Sequence, residues 1–481
     1  MDDCLTGADT VSGSEILYSR KGMSVMLMTA EEFTKKYRDI FFDFDFSQNL
    51  EVEYENDIYR LADHSQMLQL RDRSMERGDY QICKNANNIL AVYETRMQFV
   101  RYSHFPVLMH IELSSFCNCE CIMCRHCYEK NSAAKVISRD KLAELEAYFP
   151  SCKFIMLNGY GEPFIYPHIR ELLTIFEKYQ VKIITTTNLQ HLPEGLLPQI
   201  NQVFYRLNVS CDGASQYTYE SIRRHSSFDR FLQNAKLLRK QCPDVQLFLS
   251  AVAMRQNIEE APALVELAKQ LGFEEIRFGR LGSNLFLGNE KDELIYYPNF
   301  ASKMLGEAKR KGEMTGVRVI VPMILKDTKI NEEAAQLEAQ SIHKEPFYHD
   351  EDYYDRLHAR YLELKENGEF QHLSYSVEGT ISCKGICHWI GYGFFVNSSE
   401  KVRPCVEIPY NRIQEEEEEE EVLDHNHEEL LAFRKHFIEG KVPAACMDCA
   451  FIMSDEVGSL KVDLEEYKHY FAEKAEQTRE A

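Results

Sequence analysis

The chain has 481 residues, room for about three domains of ordinary size, and its 44% apolar content suits a folded globular protein. A formal net charge of −22 argues against a nucleic-acid partner, because a phosphate backbone requires clustered Lys and Arg and would be repelled by this field. The first twenty residues lack a basic, apolar leader and no apolar run reaches the roughly twenty residues of a membrane span, so the sequence reads as cytoplasmic, with no membrane partner.

Residues 1–104 mix helical patterns, Ala30 to Phe41 and Met75 to Arg101, with polar connectors and carry no chemical motif. They read as an N-terminal accessory region. Apolar runs then alternate with amphipathic stretches. The predicted strands are Val107 to Leu113, Phe154 to Leu157, Val181 to Thr186, Val203 to Val209, Val245 to Ala253 and Glu275 to Phe278. Helical patterns separate them: Arg139 to Tyr148, His168 to Lys178, Phe228 to Gln241 and Glu259 to Leu271. Repeated strand-helix order with crossovers of this length predicts an α/β fold with a parallel sheet or barrel over 105–325, finished by Phe300 to Lys311 and Val317 to Val321. Residues 326–379 are charged and Tyr-rich and read as a helical bridging insert. A compact Cys-rich unit follows at 380–455, interrupted by Glu415 to Glu421, whose like charges predict a solvated loop. The remaining 456–481 form a C-terminal helix and tail, with an amphipathic pattern from Leu460 to Ala475.

Fifteen cysteines in a chain of this size, without a leader, read as metal ligands or free thiols before disulfides. Cys117, Cys121 and Cys124 stand in C-x3-C-x2-C spacing just after the first predicted barrel strand. Three thiolates on one short loop can hold three irons of a four-iron four-sulfur (4Fe-4S) cube and leave the fourth open. Cys121, Cys124 and Cys127 have zinc-like spacing, which keeps a structural zinc site as the other reading. Cys119 and Cys127 read as free thiols.

This motif resembles the radical S-adenosylmethionine (SAM) superfamily. The resemblance implies a partial (β/α)6 barrel in which SAM chelates the open iron and is cleaved reductively to methionine and a 5′-deoxyadenosyl radical. It further implies that Asn158-Gly-Tyr-Gly-Glu-Pro163, after the second strand, is the SAM-binding element. Gly159 and Gly161 let the backbone approach closely, and Glu162 accepts the cosubstrate's ammonium protons. By the same resemblance Ser210 and Arg223 hold the SAM carboxylate, with Arg224 as the neighbouring choice and an ordinary surface arginine as the other reading. Asn188 and Asn257 are candidates for ribose or adenine contacts, or turn residues, for which Asn has its own preference.

Cys387, Cys405, Cys446 and Cys449, spaced x17, x40 and x2, resemble the small auxiliary-cluster extension called SPASM, in its shorter twitch form. Four thiolates close the coordination of one auxiliary 4Fe-4S cluster, giving two clusters in all; four-Cys zinc is the alternative, and Cys383 is an additional local thiol. The expected function is hydrogen abstraction from a peptide, protein or sugar-derived substrate by a radical SAM oxidoreductase or maturase, served by a flavodoxin- or ferredoxin-type electron donor. The alternative is a non-catalytic iron-sulfur or zinc-binding interaction protein on the same fold.

Overall fold

The computed structural model describes residues 16–20, 23–40, 43–124, 135–281, 292–322, 325, 329–344, 353–366, 381–405, 425–443, 446, 461–462 and 466. The chain divides into two compact units, Met1–Val107 with Tyr148–Lys153, and Leu108–Ala147 with Phe154–Ala481.

The first unit holds strands β1 (Ile16–Arg20), β2 (Met23–Thr29), β3 (Leu50–Tyr54) and β4 (Asp57–Arg60), in that spatial order. β2 and β3 run parallel and the other neighbours antiparallel. The parallel pair is joined by helix α1 (Ala30–Tyr37), which opens on a reciprocal cap between Thr29 and Glu32. Leu50, Val52 and Tyr54 are buried at every second position of β3, the period of a half-buried strand. The sequence reading missed this sheet because Glu51 and Glu53 make the same run look like a polar connector.

The single helical pattern expected over Met75 to Arg101 is two helices, α2 (His64–Arg77) and α3 (Tyr80–Arg96). Gly78 ends the first in the left-handed region at φ 79°, where its N–H caps the last turn. On α3 the buried Lys84 Nζ donates to the carbonyls of Phe149 at 2.5 Å and Cys152 at 2.6 Å, which ties the Tyr148–Lys153 segment into this unit. Lys153 Nζ likewise donates to the Tyr37 carbonyl at 2.6 Å and to that of Ile40.

In the second unit the strands are β5 (Leu108–Ile111), β6 (Glu120–Cys121), β7 (Phe154–Met156), β8 (Lys182–Thr187), β9 (Phe204–Ser210), β10 (Arg223–Arg224), β11 (Gln246–Ala253), β12 (Glu275–Arg280) and β13 (Arg318–Ile320). β14 (Cys383–Lys384), β15 (Gly393–Val396), β16 (Val402–Arg403) and β17 (Lys461–Val462) follow. One nine-stranded sheet runs β13-β12-β11-β9-β8-β7-β5-β15-β16, and every pair in it is parallel except β15 with β16. Helices Arg139–Glu146, Ile169–Lys178, Leu197–Val203, Phe228–Gln241 and Ala261–Leu271 connect successive parallel strands. This is the α/β partial barrel expected from the sequence, with β13 as the finishing strand.

Two findings go beyond the expectation. β15, from the Cys-rich unit, pairs with β5, so the barrel sheet continues into the C-terminal region. Lys461–Val462, expected to begin a helix, instead form β17 against Cys383–Lys384, satisfying backbone groups there in a ladder. Residues 332–344 and 353–366 of the expected insert are helices. The acidic run Glu415 to Glu421, Cys127 and Cys449 lie outside the described residues, as does nearly all of Leu460 to Ala475. Among the described residues no helix is long and apolar enough to cross a membrane.

Candidate active site

The candidate residues gather at the carboxyl ends of the parallel strands, where a βα sheet presents its loops. Cys117, Cys119, Cys121 and Cys124 follow β5. β6 places Cys121 in antiparallel register with Arg223 of β10, and the Cys124 N–H donates to the Cys121 carbonyl at 2.9 Å, folding the motif into a turn. Two side chains from other loops then reach the sulfurs. Arg223 Nη1 donates to Cys121 Sγ at 3.7 Å, and Asn188 Nδ2, just past β8, donates to Cys117 Sγ at 3.7 Å.

Arg223 is buried, which removes the reading of an ordinary surface arginine, and its Nε pairs with the buried Asp212 carboxylate at 2.7 Å. The thiols respond unequally to these surroundings. Hydrogen bonds from Cys119 pull the Cys117 thiol down to about 6, aided by the Arg223 charge and the Asn188 amide against the opposing effect of burial. Burial pushes the Cys121 thiol up to about 12, with Arg223 acting in the opposite sense. Cys119 is a buried thiol raised by its hydrogen bond to Cys117 and by desolvation.

The glycine loop packs on the cysteine loop. A Cβ on Gly161 would lie 2.0 Å from the Ser114 carbonyl oxygen, and the Glu162 N–H donates to the Phe116 carbonyl at 2.9 Å. Glu162 is buried and caps the short turn that follows it, accepting from the Phe164 N–H at 3.2 Å. It also accepts from the Thr187 hydroxyl and the Asn188 N–H, both at 2.7 Å. Burial raises its carboxyl to about 7 against these donors. Ser210 ends β9, in register with Ser250 of β11. Asn257 resolves as a turn residue. Its Oδ1 accepts from the Met254 N–H at 3.0 Å and its Nδ2 donates to the carbonyls of Asp212 and Val252, which closes the end of β11.

Glu112 and His110 were missed by the sequence reading. The buried Glu112 carboxylate accepts from Tyr160 N–H at 2.7 Å and Ser398 N–H at 2.8 Å, binding the glycine loop and the turn after β15 to the end of β5. His110 Nε2 donates to the Asn158 carbonyl at 2.6 Å and its ring meets Trp389 and Phe395. Burial lowers its pKa to about 4, so the ring is neutral at neutral pH. The signal was available: an imidazole and a carboxylate inside the apolar run Val107 to Leu113.

The C-terminal cysteines are buried where described. Cys387 precedes the helix His388–Tyr392, Cys405 follows β16, and Cys446 closes a turn with its N–H on the Pro443 carbonyl at 2.8 Å. Cys383 lies on β14.

Residues 111–268 match the family described as the Radical SAM superfamily, spanning the cysteine loop, the glycine loop, Asn188, Ser210 and Arg223. That segment is similar to the radical SAM superfamily. The AdoMet-dependent heme synthase of Methanosarcina barkeri is 27% identical over 176 residues, which covers 36% of this chain and 50% of that protein. The mycofactocin maturase MftC of Mycobacterium tuberculosis is 26% identical over 185 residues, 36% of this chain and 45% of that one. This chain thus spans about half the length of these curated relatives. Among solved structures, Streptococcus suis SuiB bound to S-adenosylmethionine aligns at a TM-score of 0.45 and 13% identity, covering 73% of this chain and 79% of that one.

A domain of that superfamily holds a 4Fe-4S cluster and SAM, and the residues present here fit such a cluster. Among the described residues no three Cys, His, Asp or Glu side chains converge where a single metal ion would sit. A four-iron cube asks for something else, one thiolate at each of several separate corners. It is also anionic and tuned by donors to its sulfurs. The Arg223 and Asn188 donors to Cys121 and Cys117 meet that need.

Proposed function

We propose that the chain is a radical SAM enzyme with its catalytic cluster on Cys117, Cys121 and Cys124 and an auxiliary cluster on Cys387, Cys405, Cys446 and Cys449. The observation that carries the reading is the convergence on two motif sulfurs of donors from separate strand ends, the Arg223 guanidinium and the Asn188 amide. A loop that merely closed a turn would not require a buried cation at its sulfurs. When bound, the reduced cluster supplies the electron that cleaves SAM to methionine and a 5′-deoxyadenosyl radical.

The protein's own part is to bind, orient and exclude water. Gly161 keeps the backbone of the glycine loop against the cysteine loop, so the carboxylate of Glu162 and the motif thiols face one site. Glu162, with a carboxyl near 7, takes the SAM ammonium as a charge-assisted partner and is ionised by it. In this reading Ser210 and Arg223 would hold the SAM carboxylate, and Asn188 would contact the ribose. The substrate class is a peptide, protein side chain or small molecule bearing an unactivated C–H. An auxiliary cluster on Cys387, Cys405, Cys446 and Cys449 would supply a site that takes an electron from the substrate or binds it, and a flavodoxin- or ferredoxin-type donor would reduce the catalytic cluster.

Anaerobic reconstitution followed by iron and zinc analysis tests the cofactor assignment, with about eight irons per chain expected for two four-iron clusters. About four irons with one zinc would remove the auxiliary cluster. The reduced protein, given SAM alone, should release methionine and 5′-deoxyadenosine slowly. If neither forms while the catalytic cluster is intact and SAM binds, the chain is a non-catalytic interaction protein.

A further inference from the structure

The two faces of the barrel sheet are chemically unlike. Ile155, Ile183, Leu207, Leu249 and Ile276 alternate onto the helix side, where all are fully buried. The residues between them, on the inner face, include Thr186, Asn208, Ser210 and Ser250, all only half-buried. Register aligns Thr186 with Asn208 on the neighbouring strand and Asn208 with Phe248 on the next. Asn158 follows β7 on the strand beyond Thr186.

Arg206 sits two residues before Asn208 and its guanidinium carbon lies 4.4 Å from the Phe248 ring centroid. Arg277, two residues after the Glu275 that aligns with Phe248, places its own at 5.0 Å from the same ring. Diagonal neighbours across strands are within reach of long and aromatic side chains, so both cations attach to one ring from either side. Gathering two like charges on one phenyl ring costs repulsion that water screens poorly inside a sheet. Among the described residues Glu275 pairs with Arg277 and with Arg318 of β13, the latter at 3.1 Å. The chain as a whole carries a net charge of −22, which makes this local cationic gathering stand out against its own field.

A second observation points to a ligand independently. The Oδ1 atoms of Asn158 and Asn208 are buried, and among the described residues neither has a hydrogen-bond partner. Buried polar atoms in folded proteins are rarely left so, and each exception needs an occupant or a function. Two acceptors at the same inner face, two strands apart with β8 between them, call for a molecule that donates.

We propose that this inner face holds the substrate of the enzyme by an anionic group, a carboxylate or a phosphate, seated on Arg206 and Arg277 against Phe248, while N–H or O–H groups of the same molecule reach Asn208 and Asn158. An Arg fork binds either anion with two parallel hydrogen bonds, and stacking on Phe248 fixes the plane of each fork. Arg206 lies four residues before Ser210, roughly 13 Å along the strand. Register sets Arg277 level with Ser250 and Ser210, so an anion shared by the two arginines against Phe248 lies about two residues, roughly 7 Å, before Ser210, with the reacting carbon toward the strand ends. Calling the ligand a substrate rests on the function proposed above; the anion site stands on its own residues.

The test is calorimetric titration of the anaerobically reconstituted full chain at low salt, with glutarate and, separately, inorganic phosphate. SAM is titrated into the same samples. At least one anion should bind, more weakly as salt is raised, and Arg206→Gln and Arg277→Gln should each weaken it at least tenfold. Arg206→Lys, which keeps the charge and disturbs packing less, should retain binding within about tenfold. Tighter binding of glutarate identifies a carboxylate substrate and tighter binding of phosphate a phosphorylated one, and either supports the site. If neither anion binds the parent, or both bind the two Gln variants as tightly, the arginines only close the barrel and the inference fails. Failure of the parent to bind SAM would instead count against the proposed function and leave the anion result readable.

Discussion

Arg223 joins three parts of the site. Its backbone pairs with Cys121, its Nη1 donates to the Cys121 sulfur, and its Nε holds Asp212 at 2.7 Å. Asp212 in turn accepts from the Val252 N–H at 2.7 Å, which carries the contact to β11. Breaking a buried ion pair from one side leaves the other charge stranded, typically at a cost of about 3–5 kcal/mol. Arg223→Gln is therefore expected to lower the unfolding midpoint clearly, and Asp212→Asn added to it should recover much of the loss. Thermal and denaturant melts of the two variants against the parent check this. If Arg223→Gln melts with the parent and loses SAM affinity alone, the guanidinium acts on the cosubstrate and not on Asp212. The sequence made Arg223 a candidate but held no sign of Asp212 as its partner, since an Asp at a strand end reads equally well as a turn residue.

At the scale of elements, the glycine loop depends on how closely two backbones approach. A Cβ on Gly161 meets the carbonyl oxygens of Ser114 at 2.0 Å and Phe116 at 2.6 Å, atoms that cannot turn aside without moving the cysteine loop. On Gly159 it would meet the Glu112 side chain at 2.4 Å, and a side chain can rotate at lower cost. Gly161→Ala should consequently lose most of the catalytic cluster on reconstitution, while Gly159→Ala keeps more of it and weakens the Glu112 contact to Tyr160. Iron content after desalting separates them; equal loss in both would show that the approach of the two loops is not what limits cluster assembly. The barrel strands were legible because β-branched and apolar runs of four to eight residues recur between helical patterns. β15 was not: Gly393-Phe-Phe-Val396 is a short apolar run between Cys387 and Cys405, and nothing within it names β5 as its neighbour.

For the molecule as a whole, the first unit carries two lysines that burial has moved far from their ordinary range. Desolvation lowers Lys84 to about 8 and Lys153 to about 7. In the unfolded chain both would keep their protons to a pH of about 10.4. Between roughly pH 7 and 10 the unfolded state therefore binds more protons than the folded one, and these lysines make the unit more stable as pH rises through that window. Below it both states are protonated, and the cost of burying the ammonium groups is met by carbonyl acceptors. Lys153→Met should flatten the rise in melting midpoint between pH 7 and 9 relative to the parent. Parallel curves for the two proteins would mean that Lys153 keeps its proton in the folded state.

The sequence by itself determined the order of strands and helices, the cysteine spacing, and the glycine loop one strand later. Each is a local pattern, fixed by a period of two or 3.6 residues or by a few positions along one loop, and is read without knowing what lies opposite. The tertiary structure decided the partners. Arg223 reaches Cys121 from 102 residues away and Ser398 reaches Glu112 from 286. β15 extends the barrel sheet, Asn257 closes a turn, and Arg206 and Arg277 meet on Phe248. Such pairings are set by which buried polar groups and sheet edges must find a partner once the core has formed, a condition imposed by the whole fold and written in no single stretch of chain.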